Sequence, residues 1–243
     1  MEDVFHRNVL CWGAKVQRTL QQSCVLIAGM GGLGCTVAQL LVRSGVGKLI
    51  VIDCGTIAAT DLNRQVLYTR ADLGGRKTAV AAERLRAITG TTEIVALDHR
   101  IEATAATRAA LAALRFACVA DCLDNFESRY ALEAALPSRA VMVHGGVYRD
   151  FGQVTTIIKD VTTALRQVLG NIVSPAAPLP VCTAVVSLVG TLMAHEITNV
   201  LGGGPRLAQQ LLIVELSDFS QFKVPLQPPP AQRRTSPAVL RSA

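Results

Sequence analysis

Short apolar runs alternate with longer stretches of helical periodicity over the first 150 residues of the chain. Apolar runs of this length are typical of strands that are buried on both faces of a parallel sheet. The runs that predict strands are 24–29, 48–53, 93–98, 115–120 and 140–147. The stretches that predict helices are 33–44, 76–89, 104–113 and 127–136. This alternation predicts an α/β fold with a Rossmann-like, doubly wound and mostly parallel sheet.

The pattern changes after residue 147. The turn at 148–152 is too short to hold a crossover helix, so the apolar run 153–158 predicts an antiparallel strand. Two later runs, 211–216 and 219–224, predict a closing hairpin. We therefore expect antiparallel strands toward the C-terminal end of the sheet.

The segment between these strands combines a loop with the most apolar helix of the chain. Residues 159–181 predict a loop with a short helical piece near 162–169, and residues 183–201 predict a long helix. The long helix carries His195 and Glu196, which are expensive inside a lipid bilayer. It is therefore expected to be a buried or interface helix and not a membrane span.

Two segments flank the predicted sheet. Residues 1–22 predict a helical arm that Gly13 interrupts, and this arm is free to reach a partner subunit. Residues 225–243 are rich in proline and contain arginines but no acid, so we expect a disordered tail. We expect the remaining residues, 23–224, to form one domain.

Composition narrows the class of protein. Half of the formal net charge of +6 comes from the three arginines of 225–243, so the folded part does not favour nucleic acid as a partner. The seven cysteines are scattered and form no C-x-x-C pair, which predicts reduced thiols and no zinc site. The charged N-terminus does not resemble a signal peptide, and we expect a cytoplasmic protein.

A glycine-rich loop follows the first predicted strand and opens the next helix. It contains Gly29, Gly31, Gly32 and Gly34, and Asp53 ends the following strand 19 residues later. Glycines let the backbone approach a phosphate, the helix N-terminus offers free N–H groups, and an acid at this distance binds a ribose. The spacing therefore predicts a nucleotide site.

Charged residues follow the neighbouring strands. The long polar loop after Asp53 places Asn63-Arg64-Gln65 and Arg76-Lys77 beside the expected crevice, where phosphates need cations. Asp121 and Asp124-Asn125 follow another strand. An aspartate there can hold Mg²⁺ or cap the helix that begins near Phe126, and both interpretations stay open.

Two further residues are candidates with strong structural alternatives. Cys182 lies where the long apolar helix begins, a position that activates thiols as nucleophiles, although buried cysteines are common in apolar helices. His144 ends a strand near the crevice, where a lone histidine is more often a hydrogen-bonded structural residue than a base.

Taken together, these motifs resemble the ThiF/MoeB/HesA family, the bacterial relatives of ubiquitin-activating enzymes. The resemblance covers about residues 5 to 224. It rests on the glycine loop, Asp53, Asn63-Arg64-Gln65, Lys77, Asp121-x-x-Asp124-Asn125-x-x-x-Arg129, the start Phe5-His-Arg7-Asn8, Gly152-Gln153-Val154 and the helix 189–196.

This resemblance implies ATP-dependent adenylation of the C-terminal Gly-Gly carboxylate of a small ubiquitin-like sulfur carrier, with release of pyrophosphate. It implies that Asp53 binds the ribose, that Asp124 holds Mg²⁺, and that Arg7 crosses a homodimer interface to the partner's ATP. It assigns nucleotide contacts to the four loop glycines, Asn63, Arg64, Gln65, Lys77 and Asn125.

The resemblance leaves a covalent step and the substrate open. Pro180-x-Cys182-Thr183 resembles the catalytic-cysteine segment of ubiquitin-activating enzymes, so Cys182 is a candidate for a covalent intermediate. Alternative functions are an ATP-dependent dehydratase acting on a modified tRNA nucleoside, an NAD-dependent oxidoreductase, and a non-catalytic scaffold subunit. Intact Arg64, Lys77 and Asp124 argue against the scaffold.

Overall fold

The structure is a computed structural model that describes residues 4–177 and 179–227. The helices in this part of the chain are α1 (His6–Gln22), α2 (Gly32–Arg43), α3 (Lys77–Thr89), α4 (Ala105–Ala112), α5 (Phe126–Ala135), α6 (Leu165–Leu169) and α7 (Thr183–Gly202). The strands are β1 (Cys24–Ala28), β2 (Lys48–Asp53), β3 (Glu93–Asp98), β4 (Cys118–Asp121), β5 (Val141–Tyr148), β6 (Phe151–Ile158), β7 (Gln210–Glu215) and β8 (Ser220–Pro225).

All eight strands form one sheet in the order β3-β2-β1-β4-β5-β6-β7-β8. The first five strands are parallel, and β5 to β8 pair antiparallel. The predicted doubly wound sheet with antiparallel strands at its C-terminal end is therefore confirmed. The strand order reverses between β1 and β4, and ligands of such sheets bind in the crevice outside this switch point.

The sheet is covered on both faces because side chains alternate along each strand. Ile27 of β1 packs with α2, α3 and α7 in one core cluster, whereas Leu26 packs with α4, α5 and α6 in the other. The order of the elements along the chain thus places α2 and α5 on opposite faces. Both helices begin at the carboxyl edge of the sheet.

Two predicted elements begin three residues later in the structure, whereas the boundaries of the other strands and helices predicted within 23–224 differ by two residues or fewer. The strand predicted at 115–120 is β4, Cys118–Asp121, because backbone hydrogen bonds continue the turn of α4 to Leu114 and Arg115 donates to carbonyls of that turn. The helical piece near 162–169 is shortened to α6, Leu165–Leu169.

The structure also describes the N-terminal arm and the long apolar helix that the sequence predicts. Gly13 breaks α1 with a φ of 84°, as the sequence predicts. Among the described helices, α7 alone is long and apolar enough to cross a membrane, and half of it is buried inside the protein. It packs against α2, α1 and the sheet, so the predicted burial is confirmed. Most of the predicted disordered tail, 228–243, lies outside the described residues.

Candidate functional site

A cavity of about 870 Å³ opens at the edge of the sheet where the parallel strands end. Most of the predicted site residues line it, although the strands and loops that carry them are far apart in sequence. They are Gly29, Gly31, Gly32, Asp53, Arg64, Gln65, Lys77, Asp124 and Asn125. Four others lie outside the lining: Arg7, Gly34, Asn63 and Cys182.

The glycine loop has a conformation that a side chain would prevent at two positions. Gly29 has a φ of 94°, and a Cβ there would lie 2.7 Å from the carbonyl oxygen of Cys122. A Cβ on Gly34 would lie 1.9 Å from the carbonyl oxygen of Gly29. Gly34 therefore serves the tight packing of the turn, which explains why it is absent from the lining.

The N-terminus of α2 faces the cavity. Gly31 is its N-cap, and within the described chain no side chain caps this end of the helix. A Cβ on Gly31 would have only Gln65 within 4 Å, so open space lies above the backbone. The first N–H groups of α2 and the positive end of its dipole are thus available to an anion.

Asp53 holds the glycine loop in place. Its Oδ2 accepts a hydrogen bond from the Met30 N–H at 2.7 Å, and its Oδ1 accepts one from the Gly55 N–H at 2.6 Å. A carboxylate has about four lone-pair positions, so Asp53 can also accept from the hydroxyl groups of a ribose. Asp53, which the sequence predicts to bind a ribose, thus also joins the end of β2 to the turn after β1.

A carboxylate that the sequence analysis did not single out, Asp61, lies at the centre of the cationic group. Its oxygens lie 3.3 Å from Lys77 Nζ and 3.7 Å from Arg64 Nη2, and it accepts from Gln65 Nε2 at 2.7 Å. Its place three residues before Arg64, one helical turn away, was the signal for this contact. Asn63 supports the same group, because its Oδ1 accepts from Arg64 at 2.9 Å.

Gln65 carries an unsatisfied acceptor. The side chain is 3% exposed, and its Oε1 has no hydrogen-bond partner in the described part of the chain. A buried polar atom without a partner is costly, and most such atoms bind water or a ligand. The amide nitrogen of Gln65 would lie 3.8 Å from a Cβ on Gly31, so this side chain lies beside the N-terminus of α2.

Asp121 forms a buried network with Arg129 and His144. Arg129 Nη1 and His144 Nδ1 lie 3.0 Å and 2.7 Å from Asp121 Oδ2. Burial alone raises the pKa of Asp121, but Arg129, His144 and the Leu123 N–H together lower it below its ordinary value. Burial and Arg129 lower the pKa of His144, although Asp121 opposes them, so the imidazole is neutral.

Asp124 is exposed at the rim of the cavity, unlike Asp121. Neither Asp121 nor Asp124 caps α5. Asn125 caps this helix instead, because its Oδ1 accepts a hydrogen bond from the Ser128 N–H at 2.8 Å. Within the described residues, the only side chain that donates a hydrogen bond to the Asp124 carboxylate is the Asn125 amide, at 3.2 Å, and Asp124 forms no ion pair there. Its negative charge is therefore available to a ligand.

Arg7 and Cys182 lie at the N-terminal ends of helices and are absent from the lining, although Val181, the neighbour of Cys182, is part of it. Arg7 is exposed in the first turn of α1. Cys182 is the N-cap of α7, and the next residue, Thr183, donates to the Asn63 carbonyl at 3.0 Å. The catalytic roles of Arg7 and Cys182 stay predictions.

Comparisons with known proteins point to one family. The model of the ThiF family matches residues 5–235. The chain is 33% identical to the sulfur carrier protein adenylyltransferase of Thermus thermophilus, over 91% of this chain and 86% of that protein. It is 29% identical to the molybdopterin-synthase adenylyltransferase of Escherichia coli, over 85% of this chain and 84% of that one.

Other relatives share the fold or only part of the length. Cattle adenylyltransferase and sulfurtransferase MOCS3 is 33% identical over 84% of this chain, which spans 46% of that protein. The crystal structure of Escherichia coli MccB with ATP superimposes with a TM-score of 0.80 at 19% identity, over 95% of this chain and 73% of the other. At that identity the superposition shows the fold alone.

We predict that His144→Gln makes the free energy of unfolding less dependent on pH between 6.5 and 5. A histidine titrates near 6.5 in the unfolded chain, whereas the buried His144 has a lowered pKa. Its stabilising contribution is therefore present above pH 6.5 and is lost as the pH falls, by up to about 1.4 kcal/mol per pH unit. Urea unfolding at several pH values measures this slope.

The control is His195→Gln, which removes an exposed histidine from α7. It should leave the slope of the parent protein unchanged. An equal slope in His144→Gln and the parent protein would show that His144 takes up its proton in the folded state as readily as in the unfolded chain.

We also predict that Asp61→Asn tightens ATP binding about threefold to tenfold at low salt. Asp61 competes with phosphates for Lys77 and Arg64, and its removal leaves both cations unpaired. The gain should shrink as salt increases, because screening weakens the attraction. Calorimetric titration with ATP measures it, with Asp72→Asn as a control, since Asp72 pairs with Arg84 outside the lining. Weaker binding of Asp61→Asn at every salt concentration would mean that the carboxylate positions the cations.

Proposed function

This chain belongs to the ThiF family, and from that premise we propose that it adenylates the C-terminal carboxylate of a small ubiquitin-like sulfur carrier protein. The carrier would serve the synthesis of thiamine, molybdopterin or a related cofactor. Relatives named as sulfur carrier protein and molybdopterin-synthase adenylyltransferases support this activity over the hydride-transfer and scaffold alternatives.

One observation carries the proposal. The cavity joins a glycine loop at a helix N-terminus to the carboxylate of Asp53 and two cations, and it lies at the switch point of the sheet. Asp53 binds the ribose hydroxyls of ATP, and the N–H groups at the start of α2 bind its phosphates. Lys77 and Arg64 exchange some or all of their ion-pair contact with Asp61 for contacts with those phosphates.

The reaction follows from this arrangement. A carboxylate oxygen of the carrier attacks the α-phosphorus of ATP, and the bond from that phosphorus to the bridging oxygen of the β-phosphate breaks. Pyrophosphate leaves with the electron pair, and an acyl adenylate remains. The nucleophile is already an anion, so the protein supplies orientation and charge neutralisation and no general base.

Asp124 fits a role as the protein ligand of Mg²⁺. Mg²⁺ in such sites is held by one or two carboxylates together with substrate phosphates, and it neutralises phosphate charge. Asp124 lines the cavity with an exposed carboxylate, which supports this role. Within the described residues there is no cluster of three acidic, histidine or cysteine side chains for a metal.

The proposal extends to the assembly and the location. Arg7 is exposed on α1, outside the cavity of its own chain, and would reach the ATP of the partner in a homodimer. Leu10 of the same helix is 73% exposed, which supports a contact with another chain. All seven cysteines are free thiols, which supports a reducing compartment such as the cytoplasm.

We predict that the purified protein exchanges labelled pyrophosphate into ATP only when a carrier ending in Gly-Gly is present. Lys77→Ala should lower this exchange by about 100-fold or more, because a cation that neutralises the transferred phosphate is lost. Lys223→Ala on the exposed strand β8 is the matched control and should retain exchange. Exchange without a carrier, or full exchange by Lys77→Ala, would contradict the proposal.

We further predict that inactive Arg7→Ala and Lys77→Ala proteins recover exchange when they are mixed. A heterodimer of the two has one complete site, with Lys77 from one chain and Arg7 from the other. Random reassociation should restore about a quarter of the parent activity. If Arg7 acts within its own chain, the mixture stays inactive. The control is Arg7→Ala protein alone, taken through the same procedure, which should stay inactive in either case.

A further inference from the structure

The cavity is wider than the part that the nucleotide residues line. It extends across the ends of six neighbouring strands, from His99 beyond β3 to Phe151 and Gln153 on β6. The glycine loop and Asp53 lie at β1 and β2. The part over β5 and β6, lined by Gly146, Tyr148, Phe151 and Gln153, is left for the second substrate.

The hydrogen positions in the buried network under this part are fixed by its partners. Arg129 Nη1 has two hydrogens and three polar neighbours: Asp121 Oδ2 at 3.0 Å, the Gly145 carbonyl at 2.8 Å and His144 Nδ1 at 3.0 Å. The two oxygens take the hydrogens, because His144 Nδ1 and Asp121 Oδ2 could not lie 2.7 Å apart as two bare acceptors. Asp121 as a carboxylate can only accept. His144 Nδ1, 2.7 Å from the same Asp121 oxygen, must therefore carry the hydrogen of the neutral ring.

The tautomer of His144 fixes the orientation of Gln153. Because Nδ1 carries the hydrogen, His144 Nε2 is an acceptor, and the Gln153 amide nitrogen donates to it at 3.4 Å. The Gln153 Oε1 must then point away from His144. No donor contacts that oxygen within the described residues, and the half-buried side chain lines the cavity.

The register of β5 and β6 makes room for this orientation. Gly146 lies directly opposite Gln153, and His144 is the diagonal neighbour of Gln153 on the same face. A Cβ on Gly146 would lie 3.0 Å from Gln153 Nε2 and 3.1 Å from its Cγ. Glycine at position 146 thus lets the glutamine side chain lie over β5 and reach the histidine.

We propose that Gln153 Oε1 accepts a hydrogen bond from a backbone N–H of the carrier's extended C-terminal tail, with His144 as the positioning residue that turns this acceptor toward the tail. The proposal rests on the adenylation of a carrier argued above. β6 lies three strand spacings, or about 14 Å, from β1. A tail at about 3.3 Å per residue that ends at the α-phosphate would therefore meet Gln153 within about its last four residues.

The test replaces each of the last four peptide bonds of the carrier, in turn, by an ester, which removes one N–H group without altering the enzyme. The probe is a Gly-Gly-ending ubiquitin-like carrier that supports pyrophosphate exchange, made by ligation to synthetic tails. One ester should raise the KM for the carrier about five- to tenfold, the effect of one hydrogen bond, and leave the KM for ATP unchanged.

Gln153→Met keeps the length of the side chain and removes the acceptor. It should raise the KM for the normal carrier by the same factor, and the sensitive ester should then cause no further loss. Gln221→Ala on β8 is the control and should keep the ester sensitivity of the parent. An ester series without effect on the parent protein, or an equal ester loss in Gln153→Met, would overturn the role of Gln153.

These outcomes differ from a failure of the proposed function. If no Gly-Gly carrier supports exchange, both the function and the contact are refuted. If carriers support exchange but the two losses are additive, adenylation stands and the contact with Gln153 alone is refuted.

Discussion

The site depends on how closely two backbone segments approach each other at the first turn of the fold. A side chain at Gly34 would lie 1.9 Å from the Gly29 carbonyl, so β1 can turn into α2 this tightly only without one. The same absence of side chains brings α7 close, since a Cβ on Gly32 would lie 2.6 Å from Val186. The N–H groups of α2 therefore reach the switch point of the sheet with α7 packed behind them, and the free helix N-terminus at the cavity follows from this packing.

Two carboxylates with little solvent exposure, Asp121 and Asp61, have different roles beside that turn. Asp121 is fully buried, and its charge is compensated by Arg129, so it orients neighbours and remains ionised. Asp61 lies among cations whose side chains are 15% and 28% exposed and face the cavity. Its ion pairs can be exchanged for pairs with phosphates, whereas removing either partner of the sealed Asp121 pair would leave an uncompensated buried charge.

The sequence predicts most of the fold because its information is local. Periodicity and turn length identify the parallel strands, the switch to antiparallel pairing and the closing hairpin. The glycine loop, Asp53, Arg64 and Lys77 were predicted for the same reason, since each follows a strand at the carboxyl edge. Spacing does not reveal which side chains meet, and Asp61 was therefore missed, although Lys77 and Arg64 both contact it.

The network around His144 shows why contacts across the sheet cannot be derived from spacing. Its members are 8 to 23 residues apart in sequence and come from β4, α5 and β5. From the sequence, Asp121 is a candidate for Mg²⁺ binding or a helix cap, and His144 is a lone histidine near the crevice that is more often structural than a base. In the structure, Arg129 already donates to that carboxylate, and the imidazole is buried and neutral with its Nδ1–H directed to Asp121. A proton that moved to Asp121 would remove the charge with which the buried Arg129 pairs, so the network favours an ionised Asp121, which agrees with a reaction whose nucleophile is already an anion. Its remaining nitrogen instead orients Gln153, so a group that looks catalytic serves to position another side chain.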